Sequence, residues 1–172
     1  MHDKVDGPVA GGIPDEVDPA RYFRHVMSAV PTSVVAVTGR ADLDPVAMII
    51  GSFVSVSLDP MRVGFFVGRD SETWQRLRTS DRFCVNVLSD AQVDVSEQLA
   101  GRGPTDLEGI EWSVSPRGAI ALAGTVARFD VKPVTLHDAG DHWFVLCRVE
   151  HLEEPTGTNP LVYHDGGYTR IR

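Results

Sequence analysis

From residue 18 onward the apolar positions follow two periods, and the change between them comes at Pro31. Tyr22, Phe23, Val26, Met27 and Val30 recur every three or four residues, the spacing of one helix face. Asp18 is placed to cap that helix, Pro19 suits its first turn, and Pro31 stops it. Beyond Pro31, β-branched runs predict strands at 33–40, 45–52, 53–58, 62–68 and 82–88, with polar turns at 41–44 and 59–60. In the stretch SFVSVSLDP, residues 52–60, alternation puts Ser52, Val54, Val56 and Leu58 on one face, read as mostly core. Phe53, Ser55 and Ser57 fall on the other face, an aromatic followed by two hydroxyls.

The pattern continues with a short helix at 71–80, Trp74 and Leu77 facing inward. A second helix is expected at 89–101, opened by Ser89 and Gln92 in capping-box spacing and closed by Gly101. Residues 101–118 are rich in Gly and Pro and read as loop. Two long strands, 119–137 and 142–154, flank the sequence Asp138-Ala139-Gly140-Asp141. A short strand pair at 160–171 turns about Asp165-Gly166-Gly167. Strands outnumber helices and most are joined by short turns. This predicts a mainly β fold, an antiparallel closed or partly closed barrel with peripheral helices. Residues 1–17, rich in Gly, Pro and Asp, are expected to form a flexible tail ahead of one domain at 18–172.

Composition narrows the function. A formal net charge of −8 opposes nucleic acid and anionic membrane, so any anionic ligand needs a local site. No apolar run is long enough to span a membrane, and the acidic N-terminus does not resemble a secretory signal. Cys84 and Cys147 each lie in a strand-like apolar run, which predicts two buried thiols in a reducing, cytoplasmic compartment. The six histidines show no metal-ligand spacing, and the chain contains no GxGxxG, GxxxxGK[ST] or GxSxG sequence.

A hydroxyl-rich set remains: Thr32 and Ser33; Ser52, Ser55 and Ser57; Ser71 and Thr73. The last two begin a helix, where free N–H groups and the positive end of the dipole suit a phosphate, and Arg69 could add charge to the same anion. The alternative is that Ser71 simply caps the helix and Thr73 is a solvated neighbour. His142, after Gly140 and Asp141, is placed to stand at a barrel rim, oriented by Asp141 or as an ordinary surface histidine.

Taken together, the segments 23–39, 47–77, 83–101, 140–149 and 160–171 resemble, in order, the flavin reductase-like family of short-chain FMN-binding split-barrel proteins. The resemblance runs from about Tyr22 to Ile171. It implies a homodimeric split barrel with flavin near the subunit interface. It also implies NAD(P)H-dependent reduction of FMN or FAD, commonly to supply reduced flavin to a separate monooxygenase. Carried over, Ser52, Phe53 and Ser55 would contact the flavin ring and ribityl chain, Ser71 and Thr73 the phosphate. Thr32 and Ser33 would lie beside the cofactor, His142 would position the nicotinamide, and Tyr168 would contribute to the same site.

Several positions depart from the family pattern. Ile49 and Gly51 stand where the family pattern Thr-x-Ser-Ser-Phe has hydroxyl residues, Ser33 where glycine is common, and Met61 where a second proline is usual. Two lost hydrogen bonds, each about 0.5–1.5 kcal/mol net, would weaken flavin binding by roughly tenfold to a hundredfold. A member that takes flavin as a loosely held substrate, one that prefers FAD, or one that no longer binds flavin would tolerate that. The competing reading is a non-catalytic split-barrel dimer that carries or senses flavin or haem.

Overall fold

The computed structural model describes residues 13, 17–42, 44–101, 107–154 and 156–171. Helix α1 (Pro19–Ser28) precedes strands β1 (Thr32–Ser33), β2 (Val35–Ala41), β3 (Asp44–Ile50), β4 (Val54–Leu58) and β5 (Met61–Gly68). Helix α2 (Glu72–Leu77), strand β6 (Phe83–Val87) and helix α3 (Val93–Leu99) follow. Strands β7 (Trp112–Val114), β8 (Ile120–Leu122), β9 (Ala127–Ala139), β10 (His142–Glu153), β11 (Leu161–His164) and β12 (Gly167–Arg170) complete the order. The protein is mainly β.

Seven antiparallel strands form the main sheet in the order β3-β2-β6-β9-β10-β5-β4, so β3 and β4, consecutive in the chain, are its two edges. The sheet curls around one core. Val35, Val46, Val63, Phe65, Val85, Val131 and Val145 point into it, and Trp74 and Leu77 of α2 pack against it. A second layer covers the outer face of β2. There Val34, Ala36 and Ala47 meet Leu88, Leu99, Ile120, Leu122 and Leu161. Burial on both faces accounts for the unbroken apolar run of β2, where strict alternation would signal one wet face.

A polar knot joins the layers. Asn86, fully buried, donates through Nδ2 to the Ala36 carbonyl at 3.1 Å and to Thr38 Oγ1 at 2.9 Å. Its Oδ1 accepts from the Leu122 N–H at 2.9 Å, which fixes β8 against β2 and β6. Cys84 and Cys147 are buried free thiols. Burial pushes the Cys147 thiol up to about 12 and Cys84 higher still, so neither offers a thiolate.

Several expectations need correction. The alternation expected at 52–58 is interrupted by a register shift between Ser55 and Ser57, and the side expected to be core lies outside. Phe53 packs on the core and against Phe129, whereas Val54, Val56 and Leu58 are exposed, Leu58 at 86%. Helix α1 forms with Asp18 and Pro19 in the expected roles, yet it buries none of its residues within this chain. The long strand expected at 119–137 is broken around Gly124 (φ +72°) into β8 and β9. Helix α3 begins only after Gln92, whose Oε1 accepts from the Ser89 N–H at 3.0 Å. Strand β7 lies in the segment expected to be loop. The expected N-terminal tail falls outside the described residues except for Ile13 and Val17.

Candidate functional site

The expected site residues gather in two places joined by a seam. The first is where β1, β3 and β12 meet. Thr32 and Ser33 pair with Tyr163 and Val162 of β11. Together with Ile49, Gly51, Tyr163 and Tyr168 they line an open pocket of ≈ 280 Å³. Tyr168 presents its ring to this pocket. Its hydroxyl hydrogen-bonds Ser96 Oγ at 2.9 Å, on the buried side of α3, and its ring meets Tyr163 edge-on at 5.5 Å. The pocket therefore has apolar and aromatic walls with two hydroxyls at one side. Gly51 is required by a close approach: a Cβ there would lie 2.9 Å from Thr32 Oγ1.

The seam runs from Gly51 along β4 and β5. Ser52 Oγ accepts from the Phe66 N–H at 2.9 Å and donates to the Phe66 carbonyl at 3.2 Å, so a side chain extends the ladder beyond the end of β4. Its single proton is thereby engaged. Phe53 turns inward, and Ser55 stays exposed on the edge strand.

The second place is the start of α2 and the tip of the β9–β10 hairpin. Ser71 caps α2, its Oγ accepting from the Trp74 N–H at 3.2 Å, which leaves the Ser71 hydroxyl proton free to donate. Thr73 sits half-buried in the first turn. His142 lies opposite Gly68, the residue before Arg69, and its Nδ1 is 2.7 Å from Asp141 Oδ1. The His142 hydrogen bond holds the Asp141 carboxyl below the usual carboxylate range.

Arg69 does not extend toward Ser71. Its Nε donates to the Gly140 carbonyl at 2.6 Å, its guanidinium pairs with Asp138, and its Cζ lies 3.8 Å from the centre of the Trp143 ring. The Arg69 hydrogen bond holds Asp138 below the carboxylate range. Among the described residues no cluster of His, Cys, Asp or Glu could hold a metal ion. Sequence reasoning missed Tyr163, Ser96, Asp138 and Trp143. The Tyr163–Tyr168 pairing was available from a two-residue turn at 165–166, but the partners of Ser96 and Asp138 were not.

The model of the flavin reductase-like domain matches residues 27–172. The chain belongs to the flavin reductase-like family. The reductase subunit HsaB of a flavin-dependent monooxygenase from Rhodococcus jostii (strain RHA1) is 37% identical over 166 residues, covering 96% of this chain and 83% of that protein. Two solved flavin reductase-type structures superpose closely. The nitrilotriacetate monooxygenase component B homologue of Mycobacterium thermoresistibile has a TM-score of 0.85 and 35% identity, covering 89% of this chain and 87% of that one. The NADH:FAD oxidoreductase SgcE6 of Streptomyces globisporus C-1027, solved with NAD and FAD fragments, has a TM-score of 0.84 and 30% identity, covering 91% and 96%. The segments that suggested the family thus lie on one fold, with the candidate residues at its β1–β3 pocket and its hairpin tip.

Proposed function

We propose that this protein is an NAD(P)H-dependent flavin reductase that passes a hydride from nicotinamide to FMN or FAD and supplies reduced flavin to a separate monooxygenase. The observation that carries this reading is the pairing of an amphipathic pocket with a hydroxyl-bearing helix start along one seam of the barrel. A flavin has the same division, an apolar ring system and a polar phosphate-bearing chain.

The residues fit that molecule. Ile49, Tyr163 and Tyr168 offer apolar surface to a flat ring, and Thr32 and Ser33 offer hydroxyls at its edge. The seam past Ser52 and Phe66 leads to Ser71 and Thr73, whose hydroxyls and neighbouring backbone suit a phosphate. His142 stands beside them on the hairpin, where its exposed ring can orient a nicotinamide. Nicotinamide and flavin supply the hydride chemistry themselves. The protein holds the two rings in register and keeps water from the contact, which is why no acid–base cluster is needed.

The pocket in one chain, ≈ 280 Å³, is small against the roughly 300–1,000 Å³ of sites that enclose a small molecule. A second copy of the chain would complete it, and exposed apolar side chains support a homodimer. Phe23, Val26 and Met27 on α1 and Val54, Val56 and Leu58 on β4 are all at least 45% exposed. No helix among the described residues is long and apolar enough to cross a membrane. The two free thiols and the net charge of −8 agree with a cytoplasmic protein that does not bind nucleic acid.

Stopped-flow mixing with NADH and FMN tests the function. Rapid NADH oxidation is expected, slowed by His142→Ala while flavin affinity stays near that of the unaltered protein. A carrier or sensor would consume no NADH above background, and equal loss of affinity and rate in the variant would remove the positioning role of His142.

A further inference from the structure

We infer that Arg69 is a positioning residue that ties the nicotinamide side of the site to the flavin side, rather than a ligand of the flavin phosphate. The inference rests on the flavin-reductase reading and adds a role that the sequence pattern did not suggest.

The two halves of the site are far apart in the chain: Ser71 follows β5, and His142 opens β10. Arg69 is where they join. Its backbone N–H donates to the Asp141 carbonyl at 3.1 Å, and its Nε donates to the Gly140 carbonyl at 2.6 Å. Its guanidinium pairs with Asp138, and its Cζ lies over the Trp143 ring. On the other side, the Arg69 carbonyl accepts from Gln75 Nε2 of α2 at 3.0 Å. One residue therefore grips the hairpin tip on either side of its turn and is itself held by the helix that carries Thr73.

Beyond the ladder that pairs His142 with Ala139 and with Gly68, the turn itself is exposed. Gly140 has φ +74°, a Cβ built there would meet nothing within 4 Å, and Asp138 and Asp141 are exposed at 75% and 93%. Asp138 Oδ1 accepts from the Gly140 N–H at 3.1 Å, so the carboxylate that pairs with Arg69 also shapes the turn. The planar guanidinium suits this task because it can donate to a carbonyl, pair with a carboxylate and stack on an indole at once. An ammonium cannot do all three. Arg69 in this arrangement spends Nε and one Nη on the hairpin.

The two roles make opposite predictions for riboflavin and FMN, which differ by the phosphate. If Arg69 clamps the hairpin, Arg69→Ala leaves the ratio of FMN to riboflavin affinity unchanged and raises KM for NADH by about tenfold, since a misplaced positioning group costs rate and not phosphate contact. Arg69→Lys restores only part of the loss. Asp138→Asn breaks the same pair from an exposed position and gives the same signature more weakly, which guards against misfolding of the Arg69 variant. If Arg69→Ala instead weakens FMN but not riboflavin, with KM for NADH unaltered, the clamp is wrong and the phosphate role is right. Unaltered kinetics in both variants also overturn the clamp. Failure of the underlying reading looks different, because the unaltered protein would then take up no flavin and oxidise no NADH.

Discussion

Gly51→Ser restores a hydroxyl where the family pattern carries one, and composition alone would forecast tighter flavin binding. The structure forecasts the reverse. A Cβ at position 51 lies 2.9 Å from Thr32 Oγ1, 3.3 Å from Thr32 Cβ and 3.8 Å from the Ser33 carbonyl. Thr32 must therefore move, but it is β-branched, with few side-chain conformations, and its backbone is paired to Tyr163. Overpacking of this kind costs about 1–3 kcal/mol. The best a new serine hydroxyl could return is about 0.5–1.5 kcal/mol. The net loss of about 1 kcal/mol falls on stability, and with Thr32 displaced from the pocket wall FMN should bind more weakly as well. Calorimetric titration with FMN, beside a urea unfolding curve, measures both parts. Adding Thr32→Ala to Gly51→Ser removes the colliding oxygen and should recover the stability. Tighter FMN binding by Gly51→Ser with an unchanged unfolding midpoint would refute the argument.

Three further outcomes follow from other parts of the molecule. Asn86→Ala strands the Leu122 N–H in the interior, so it should destabilise the fold by about 2 kcal/mol, read as a lower urea midpoint; an unchanged midpoint would mean that the knot does not hold β8. Glu150 is held below its ordinary 4.5 by hydrogen bonds from Arg148 and then Arg82. Its stabilisation is thus complete above about pH 4.5 and lost as the pH falls further, and Glu150→Gln should flatten the unfolding-versus-pH curve in that acid window and nowhere else. Leu58→Glu places a charge on the exposed face of β4 and should give a folded monomer by sedimentation velocity; a persistent dimer would show that the interface lies elsewhere.

Some local signals were legible where the chain turns, though the Ser89–Gln92 spacing did not open α3 and the break at Gly124 went unread. Asp18 and Pro19 mark the start of α1 because a cap depends only on neighbouring residues, and Ser71 marks α2 for the same reason. The β9–β10 hairpin could be read from Gly140, which supplies the positive φ of its turn. The candidate site residues were named through a resemblance to a family, and the structure sets them around one pocket and one hairpin tip. What each side chain does there was not legible. Ser52 completes a strand ladder, Tyr168 gives its hydroxyl to Ser96, and Arg69 turns to Asp138. These partners lie 14, 72 and 69 residues away, beyond the reach of any local pattern.

The alternation of residues 52–58 shows where sequence stops and tertiary structure begins. The residues carry a period of two, which points successive side chains of a regular strand to opposite faces, but the register shift between Ser55 and Ser57 was not written in them. Which face meets the core depends on where the strand lies in the sheet. As an edge strand whose Phe53 side closes the barrel, β4 leaves Val54, Val56 and Leu58 outside. The same division holds for α1, whose helical period is written in its residues while the surface that would cover its apolar face is not part of the single chain. Backbone periodicity is a property of neighbours; burial is a property of the whole assembly, because apolar surface is stabilised only by whatever distant segment or second molecule comes to exclude water from it.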